Sequence, residues 1–258
     1  MRRGLVLLCA AVFGCSLTSP AAPVPQRAAS PATVAAPTPP APPPEVGLEF
    51  VVAHTAGASP GARLPLLVAL HGYGDSPERF IQLFDALPFP ARVVALRGPH
   101  PMQDGASWFP IGDGAPGPFL ASVDRVARAL DALPGRFSTC GRPLLTGFSQ
   151  GAMLTFAVAA RSPGSIRAAV PIAGRLPDFA RPARAPTAPR LPVVTALHGT
   201  DDRRIAFAQG EDATRALTAL GFSATLRAFP GVGHAVPFEV RQALYEALGV
   251  GAAGACDR

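Results

Sequence analysis

The chain has no lysine; all 23 of its basic residues are arginine, set against 17 acidic ones. Charged residues fill only 16% of the 258 positions, and the net charge is +6. The arginines are scattered and no aromatic side chains interleave with them, so the positive balance does not describe a nucleic-acid surface. Beside abundant Ala, Gly and Pro it reads as biased genomic composition. Long apolar runs are also missing at the N-terminus: Leu5 to Phe13 is nine residues, about half of the roughly 20 a membrane-spanning helix needs. No internal repeat is present, which excludes a solenoid. Tryptophan occurs once, at Trp108, and cysteine four times. What the chain does have is 48% hydrophobic residues, enough for a substantial core in one large domain or two small ones.

The first residues read as an export signal. Arg2 and Arg3 precede the short apolar stretch, and Val12-Phe13-Gly14-Cys15 resembles a bacterial lipobox. The reading is a signal over residues 1–19 with Cys15 as lipid anchor; cleavage near Ser19-Pro20-Ala21, which would discard Cys15, stays open. Residues 20–44 are almost entirely Pro, Ala, Ser and Thr, a composition that cannot bury a core and forms an extended tether. The folded domain is expected over 45–258, in the cell envelope, with membrane contact through the N-terminal lipid alone. An exported protein meets an oxidising compartment, so Cys140 and Cys256 are candidates for a disulfide; a buried Cys140 with a loose Cys256 in the tail is the other reading, and the sequence leaves the two open.

From Glu45 onward strands and helices alternate. Leu48 to His54, Leu64 to Leu70, Arg92 to Leu96, Ile166 to Ile172, Val193 to Leu197 and Ser223 to Phe229 read as strands. Helical spacing follows Ser76-Pro77, and recurs over Phe119 to Leu133, Ala152 to Ala160, Phe207 to Leu220 and Phe238 to Leu248. Residues 98–118 read as a long Gly- and Pro-rich loop. This alternation predicts an α/β fold, a mostly parallel central sheet with helices on both faces.

The chain is organised around Pro143-Leu144-Leu145-Thr146-Gly147-Phe148-Ser149-Gln150-Gly151-Ala152. An apolar run enters Gly-x-Ser-x-Gly and an apolar helix leaves it, the context of a nucleophile elbow. There Ser149 would stand at a strained turn with the Gln150 N–H aimed at a developing oxyanion. A serine hydroxyl needs a base, and His234, behind Gly231 and Gly233 after the last strand, is the histidine placed to supply it. His71, His198, His54 and His100 read as structural or loop residues. Asp201 and Asp202 compete to orient His234, and only one of two adjacent side chains can; Asp202 is favoured. The turn His71-Gly72-Tyr73-Gly74 can offer the Tyr73 N–H as a second oxyanion donor. Trp108 is a candidate wall of the substrate pocket, or a packing residue.

These pieces together resemble the phospholipase/carboxylesterase family of α/β-hydrolases, which includes acyl-protein thioesterases. The carriers are Leu70-His71-Gly72-Tyr73-Gly74-Asp75, Ser107-Trp108-Phe109, the elbow, Gly174-Arg175-Leu176-Pro177, His198-Gly199-Thr200-Asp201-Asp202 and Gly233-His234, in the family's order. The resemblance implies an α/β-hydrolase fold and a serine esterase without metal or cofactor, acting on a small ester. It assigns nucleophile Ser149, base His234, acid Asp202 (three residues beyond the Gly of His198-Gly199) and oxyanion donors Tyr73 and Gln150. Ala152 and Ile111 depart from the common family pattern, which leaves the substrate undefined. A polyester depolymerase or feruloyl-type esterase would use the same triad. A lipid-tethered binding protein with a silent site is the rival from another class. The covers over 98–118 and 175–191 are short and Pro-rich, so an open site for short to medium acyl chains is expected.

Overall fold

The structure, a computed structural model, describes residues 45–55, 57–112 and 116–256. The signal, lipobox and tether expected over 1–44 lie outside the described residues. Among the described residues nine strands follow in chain order: Phe50–His54 (β1), Leu64–Leu70 (β2), Arg92–Leu96 (β3), His100–Met102 (β4), Gly105–Ser107 (β5), Thr139–Phe148 (β6), Ala168–Ile172 (β7), Val193–Gly199 (β8) and Ala224–Phe229 (β9). Seven of them make one sheet in the order β1-β3-β2-β6-β7-β8-β9. Only the β1–β3 pair is antiparallel; the other neighbours run parallel. The helices are Pro77–Phe80 (α1), Pro116–Arg136 (α2), Gln150–Arg161 (α3), Phe207–Ala219 (α4) and Phe238–Ala252 (α5). None of the described helices is long and apolar enough to cross a membrane.

Alternation along the strands divides the core in two. Leu66, Val68 and Leu70 of β2 face the layer built from Val126 and Leu130 of α2, Leu154 and Val158 of α3 and Leu217 of α4. Leu67 and Ala69 point the other way, to Phe84 and to Leu244 and Leu248 of α5. Helices therefore cover both faces, which is why the inner strands read as continuous apolar runs. In α3 every residue from Gln150 to Ala160 is buried. Truncating one of these buried leucines to alanine costs about 2–5 kcal/mol.

Three local features differ from the sequence reading or complete it. The expected loop over 98–118 holds the β4–β5 hairpin, whose Ala106 pairs with the turn after β2 through Gly74 N–H to Ala106 O (3.0 Å) and Ala106 N–H to Asp75 O (2.9 Å). Two three-residue strands, one containing Pro101, are too short to show an alternating pattern. The helix expected after Ser76 is a single α turn, α1, followed by a 3-10 turn over Ile81–Phe84. Cys140 and Cys256 form a disulfide with Cα atoms 4.8 Å apart, tying the start of β6 to the end of the described chain.

Candidate active site

The triad candidates and Tyr73 stand at the C-terminal ends of parallel strands: Tyr73 after β2, Ser149 after β6, Asp202 after β8 and His234 after β9. This is where an open α/β sheet leaves its crevice. Ser149 sits between β6 and α3 at φ 55°, ψ −113°, a region an L-residue occupies only at a cost of order 1–3 kcal/mol. The surroundings hold it there. Its N–H donates to Ile172 O of β7 (3.0 Å), and its carbonyl accepts the Met153 N–H (3.0 Å). Glycine is required on both sides of the turn because the backbones nearly touch. A Cβ on Gly147 would lie 2.5 Å from the Gly151 carbonyl, and one on Gly151 would lie 2.1 Å from Leu70 O.

The turn carries Ser149 to His234, whose Nε2 is 2.9 Å from Ser149 Oγ. His234 Nδ1 is 2.7 Å from Asp202 Oδ2. The imidazole is half-buried and packs on the Phe148 ring, with centroids 4.8 Å apart. The other carboxylate oxygen of Asp202 accepts the N–H groups of Arg204 (2.8 Å) and Ile205 (3.0 Å). Burial alone would push this carboxyl up. The His234 hydrogen bond and the two amides outweigh it and hold Asp202 below the ordinary carboxylate range. Because a carboxylate only accepts, His234 carries its proton on Nδ1 and leaves Nε2 free to take one from Ser149. Asp201 has another place. It is exposed, accepts the Thr200 hydroxyl (2.9 Å), and its N–H donates to Val232 O (2.9 Å), stapling the β8 loop to the loop that bears His234.

The Gly72-Tyr73-Gly74-Asp75 turn closes through Asp75 N–H to Gly72 O (3.2 Å), with Gly74 at φ 74°, a position glycine fills without steric cost. Among the described residues no backbone acceptor takes the Tyr73 N–H. Gln150 is the first residue of α3, so its N–H has no acceptor within the helix and lies at the positive end of the helix dipole. Two such donors beside the Ser149 hydroxyl can receive negative charge on a carbonyl oxygen.

One expectation is corrected. Trp108 does not line the cleft; it is completely buried beneath the Tyr73 turn. Its large apolar ring fits the core, and its single donor finds a buried acceptor there: Nε1–H donates to His71 O (2.9 Å). The indole lies against the His71 ring with centroids 5.2 Å apart. His71 in turn donates from Nδ1 to Gly72 O (2.7 Å) and accepts the Gly98 N–H at Nε2 (3.0 Å), so it is neutral, and burial pushes its pKa down. Trp108 thus props the turn from below, while Phe109 faces the cleft.

Two contributors leave no local signal in the sequence, the Gln150 side chain and His198. The Gln150 side chain clamps the neighbouring segment, Oε1 accepting Trp108 N–H (3.0 Å) and Nε2 donating to Phe109 O (2.9 Å). His198, buried, donates from Nε2 to Ile205 O (2.9 Å), and the same nitrogen lies 3.3 Å from Asp202 Oδ2, the oxygen that faces His234. The cleft over Ser149 and His234 has a volume of about 910 Å³. Phe109, Phe119, Met153 and Phe179 form its apolar wall, with Phe119 edge-on to both Phe109 and Phe179. Among the described residues no group of three or more His, Cys, Asp or Glu side chains is placed to hold a metal ion.

A mostly parallel sheet in this strand order, helices on both faces and a serine at a strained strand-to-helix turn define an α/β-hydrolase. The chain belongs to the phospholipase/carboxylesterase family, whose profile matches residues 56–250. A probable carboxylesterase of Oryza sativa subsp. japonica is 29% identical over an alignment of 219 residues that covers 77% of this chain and 82% of the rice protein. Among solved structures, the fold matches esterase PE8 with a TM-score of 0.66 at 24% identity, over 78% of this chain and 97% of that one. It also matches acyl-protein thioesterase 2 of Zea mays with a TM-score of 0.63 at 22% identity, over 79% and 98%. The family is thus one of hydrolases of the phospholipase and carboxylesterase type.

Proposed function

We propose that the protein is a serine esterase hydrolysing carboxylic esters of short to medium acyl length, thioesters and lysophospholipids being further substrates of the same chemistry. Ser149 Oγ attacks the ester carbonyl as its proton passes to His234 Nε2. Asp202 holds the ring and stabilises the imidazolium, and the N–H groups of Tyr73 and Gln150 receive the oxyanion. The tetrahedral intermediate collapses to an acyl-Ser149, and the departing alkoxide takes the proton from His234. Water then enters by the same route: His234 takes its proton, the acyl group leaves as the acid, and Ser149 is restored.

The observation that carries this reading is the unbroken run of contacts from Ser149 Oγ to His234 (2.9 Å) to Asp202 (2.7 Å), with the serine on a strained turn. A silent binding protein would have no use for that strain. The exposed apolar rim at Tyr73, Ile111 and Phe179 supports an open cleft. The Cys140–Cys256 disulfide supports export to an oxidising compartment, with Cys15 as the lipid anchor. A fluorophosphonate probe tests the central claim: mass spectrometry should find the label on Ser149, in step with loss of p-nitrophenyl butyrate hydrolysis. Absence of labelling in folded protein, or labelling elsewhere with full loss of activity, would discard it. Lipidated Cys15 at the N-terminus of protein from the native host would support the anchor; a mature chain beginning beyond Ser16 would refute it.

A further inference from the structure

The cleft over Ser149 is lined by cationic as well as apolar side chains. Arg175 and Arg204 both line it. Among the described residues neither guanidinium takes part in an ion pair or a hydrogen bond. Among the described residues the acids near the cleft are already engaged. Asp75 lines it but is held by Arg79 (2.8 Å) and by the Ser76 N–H (2.8 Å), and Asp202 is buried behind His234. Two uncompensated cations thus face the space a substrate would fill. A guanidinium there is a preformed receptor for carboxylate or phosphate oxygens.

Both arginines have a definite origin in the fold. Arg204 follows Asp202 by two residues, and its own N–H is bonded to the Asp202 carboxylate (2.8 Å), so it is on the His234 flank. Arg175 follows Ala173, which is held at φ 52° by its N–H to Leu197 O (2.8 Å). Among the described residues Ser149 and Ala173 are the two non-glycine positions with positive φ. Strain of this kind persists where the surroundings enforce it and clusters at working sites. The ends of β7 and β8 therefore carry the cations, while α2, Met153 and Phe179 carry the apolar wall.

Resting on the esterase reading, we infer that Arg175 and Arg204 select esters whose alcohol portion bears an anionic oxygen group, a carboxylate or a phosphate. The acyl chain takes the Phe109–Phe119–Phe179 wall. The leaving alcohol must lie on the His234 side, because His234 Nε2 delivers its proton, and that is the side of Arg204. Charge on the alcohol adds affinity there and is lost with the alcohol when the acyl-enzyme forms.

The test compares 4-(butyryloxy)benzoate with its uncharged counterpart 4-(butyryloxy)benzamide on the whole chain. The carboxamide makes the better leaving group, so intrinsic reactivity runs against the expected preference. The benzoate should be favoured by at least about tenfold in kcat/KM, through KM, with the preference shrinking as salt rises. Arg175→Gln and Arg204→Gln should each reduce the ratio, and the double variant should bring it near one. Arg203→Gln makes the same charge change beside Arg204 but outside the cleft, and should keep the ratio. Replacing the carboxylate by a phosphate monoester, in 4-(butyryloxy)phenyl phosphate, tells which anion is read: the better of the two names the source. Equal turnover of charged and uncharged esters overturns the proposal. So does a preference confined to monophenyl succinate over phenyl butyrate, where the charge sits on the acyl side. If neither benzoate nor benzamide is hydrolysed, the esterase reading fails by itself. Calorimetry of the same esters on Ser149→Ala then decides the charge question: tighter binding of the anion supports the inference, and equal binding refutes it.

Discussion

Replacing Asp202 by Asn changes one atom of the side chain and should stop the reaction without unfolding the protein. In the native site one oxygen accepts two backbone N–H groups, from Arg204 (2.8 Å) and Ile205 (3.0 Å), and the other faces His234 Nδ1 (2.7 Å) and His198 Nε2 (3.3 Å). Asn can keep the first pair only by turning its oxygen toward the amides. Its NH2 then faces two ring nitrogens that have been donors. His234 escapes the conflict by moving its proton to Nε2, where it can no longer take one from Ser149. Holding the productive tautomer would forfeit a charge-assisted hydrogen bond, about 1.5–3 kcal/mol, and leave a buried donor unsatisfied, about 1–3 kcal/mol more. At about 1.36 kcal/mol per decade, kcat should fall by roughly two to four orders of magnitude. The upper end matches the loss of about 10⁴ that the same exchange causes in the serine-protease triad.

The assay is kcat and KM on p-nitrophenyl butyrate, with fluorophosphonate labelling rate as a second readout and circular dichroism to check folding. KM should change little, since Asp202 is buried away from substrate. Asp201→Asn is the control. That side chain is exposed and among the described residues bonds only Thr200, so kcat should stay within about tenfold, ~1.4 kcal/mol. A folded Asp202→Asn variant that keeps more than about a tenth of native kcat would refute the tautomer argument. A crippled Asp201→Asn would move the acid to the other residue.

Gly151→Ala places a Cβ 2.1 Å from Leu70 O; forcing β2 and the elbow apart should cost about 1–3 kcal/mol or more and depress kcat, read by thermal melting beside kinetics. Trp108→Phe leaves the His71 carbonyl without its donor, a loss of about 1–3 kcal/mol, or about 2–12 °C in Tm for a domain of this size. Its acyl-length profile should be unchanged, and a shifted profile would return Trp108 to the pocket wall. Reducing Cys140–Cys256 opens a link between residues 116 positions apart and should lower stability by about 2–5 kcal/mol, measured by urea melts with and without reductant, with activity at 25 °C retained. Burial lowers the folded pKa of His71 below its unfolded value near 6.5. The unfolded chain therefore takes up the proton first, and the stability tied to neutral His71 is complete above about pH 6.5 and is lost as pH falls through the folded value. Tm from pH 7.5 to 5 should decline in the native chain and more shallowly in His71→Gln; parallel slopes would contradict this.

Much of the molecule was legible because its signals are local. Gly147-x-Ser149-x-Gly151 between an apolar strand and an apolar helix states the turn, its strain and its close approach within five residues. The inner strands announce themselves because helices cover both of their faces. Other features lie in contacts that no short window contains. The β4–β5 hairpin exists because Ala106 pairs with Gly74 and Asp75, about thirty residues back, and its strands alone are too short to carry a pattern. Trp108 is the sharper case. A lone tryptophan near a catalytic motif reads equally as a wall or as a core residue, since an indole has both an apolar body and a donor. What decides is the position of the acceptor, His71 O, 37 residues away. The same long-range logic separates Asp201 from Asp202. Both are acids after one strand, and only the backbone N–H groups of Arg204 and Ile205, curling back on one carboxylate, turn Asp202 inward. Those two residues thus act twice. Their amides fix the acid that orients His234, and the Arg204 side chain that emerges from the same turn reaches the cleft. A substitution that reshapes this turn should disturb the proton path and the charge of the cleft together, whereas Arg204→Gln, which leaves the amide in place, should separate them.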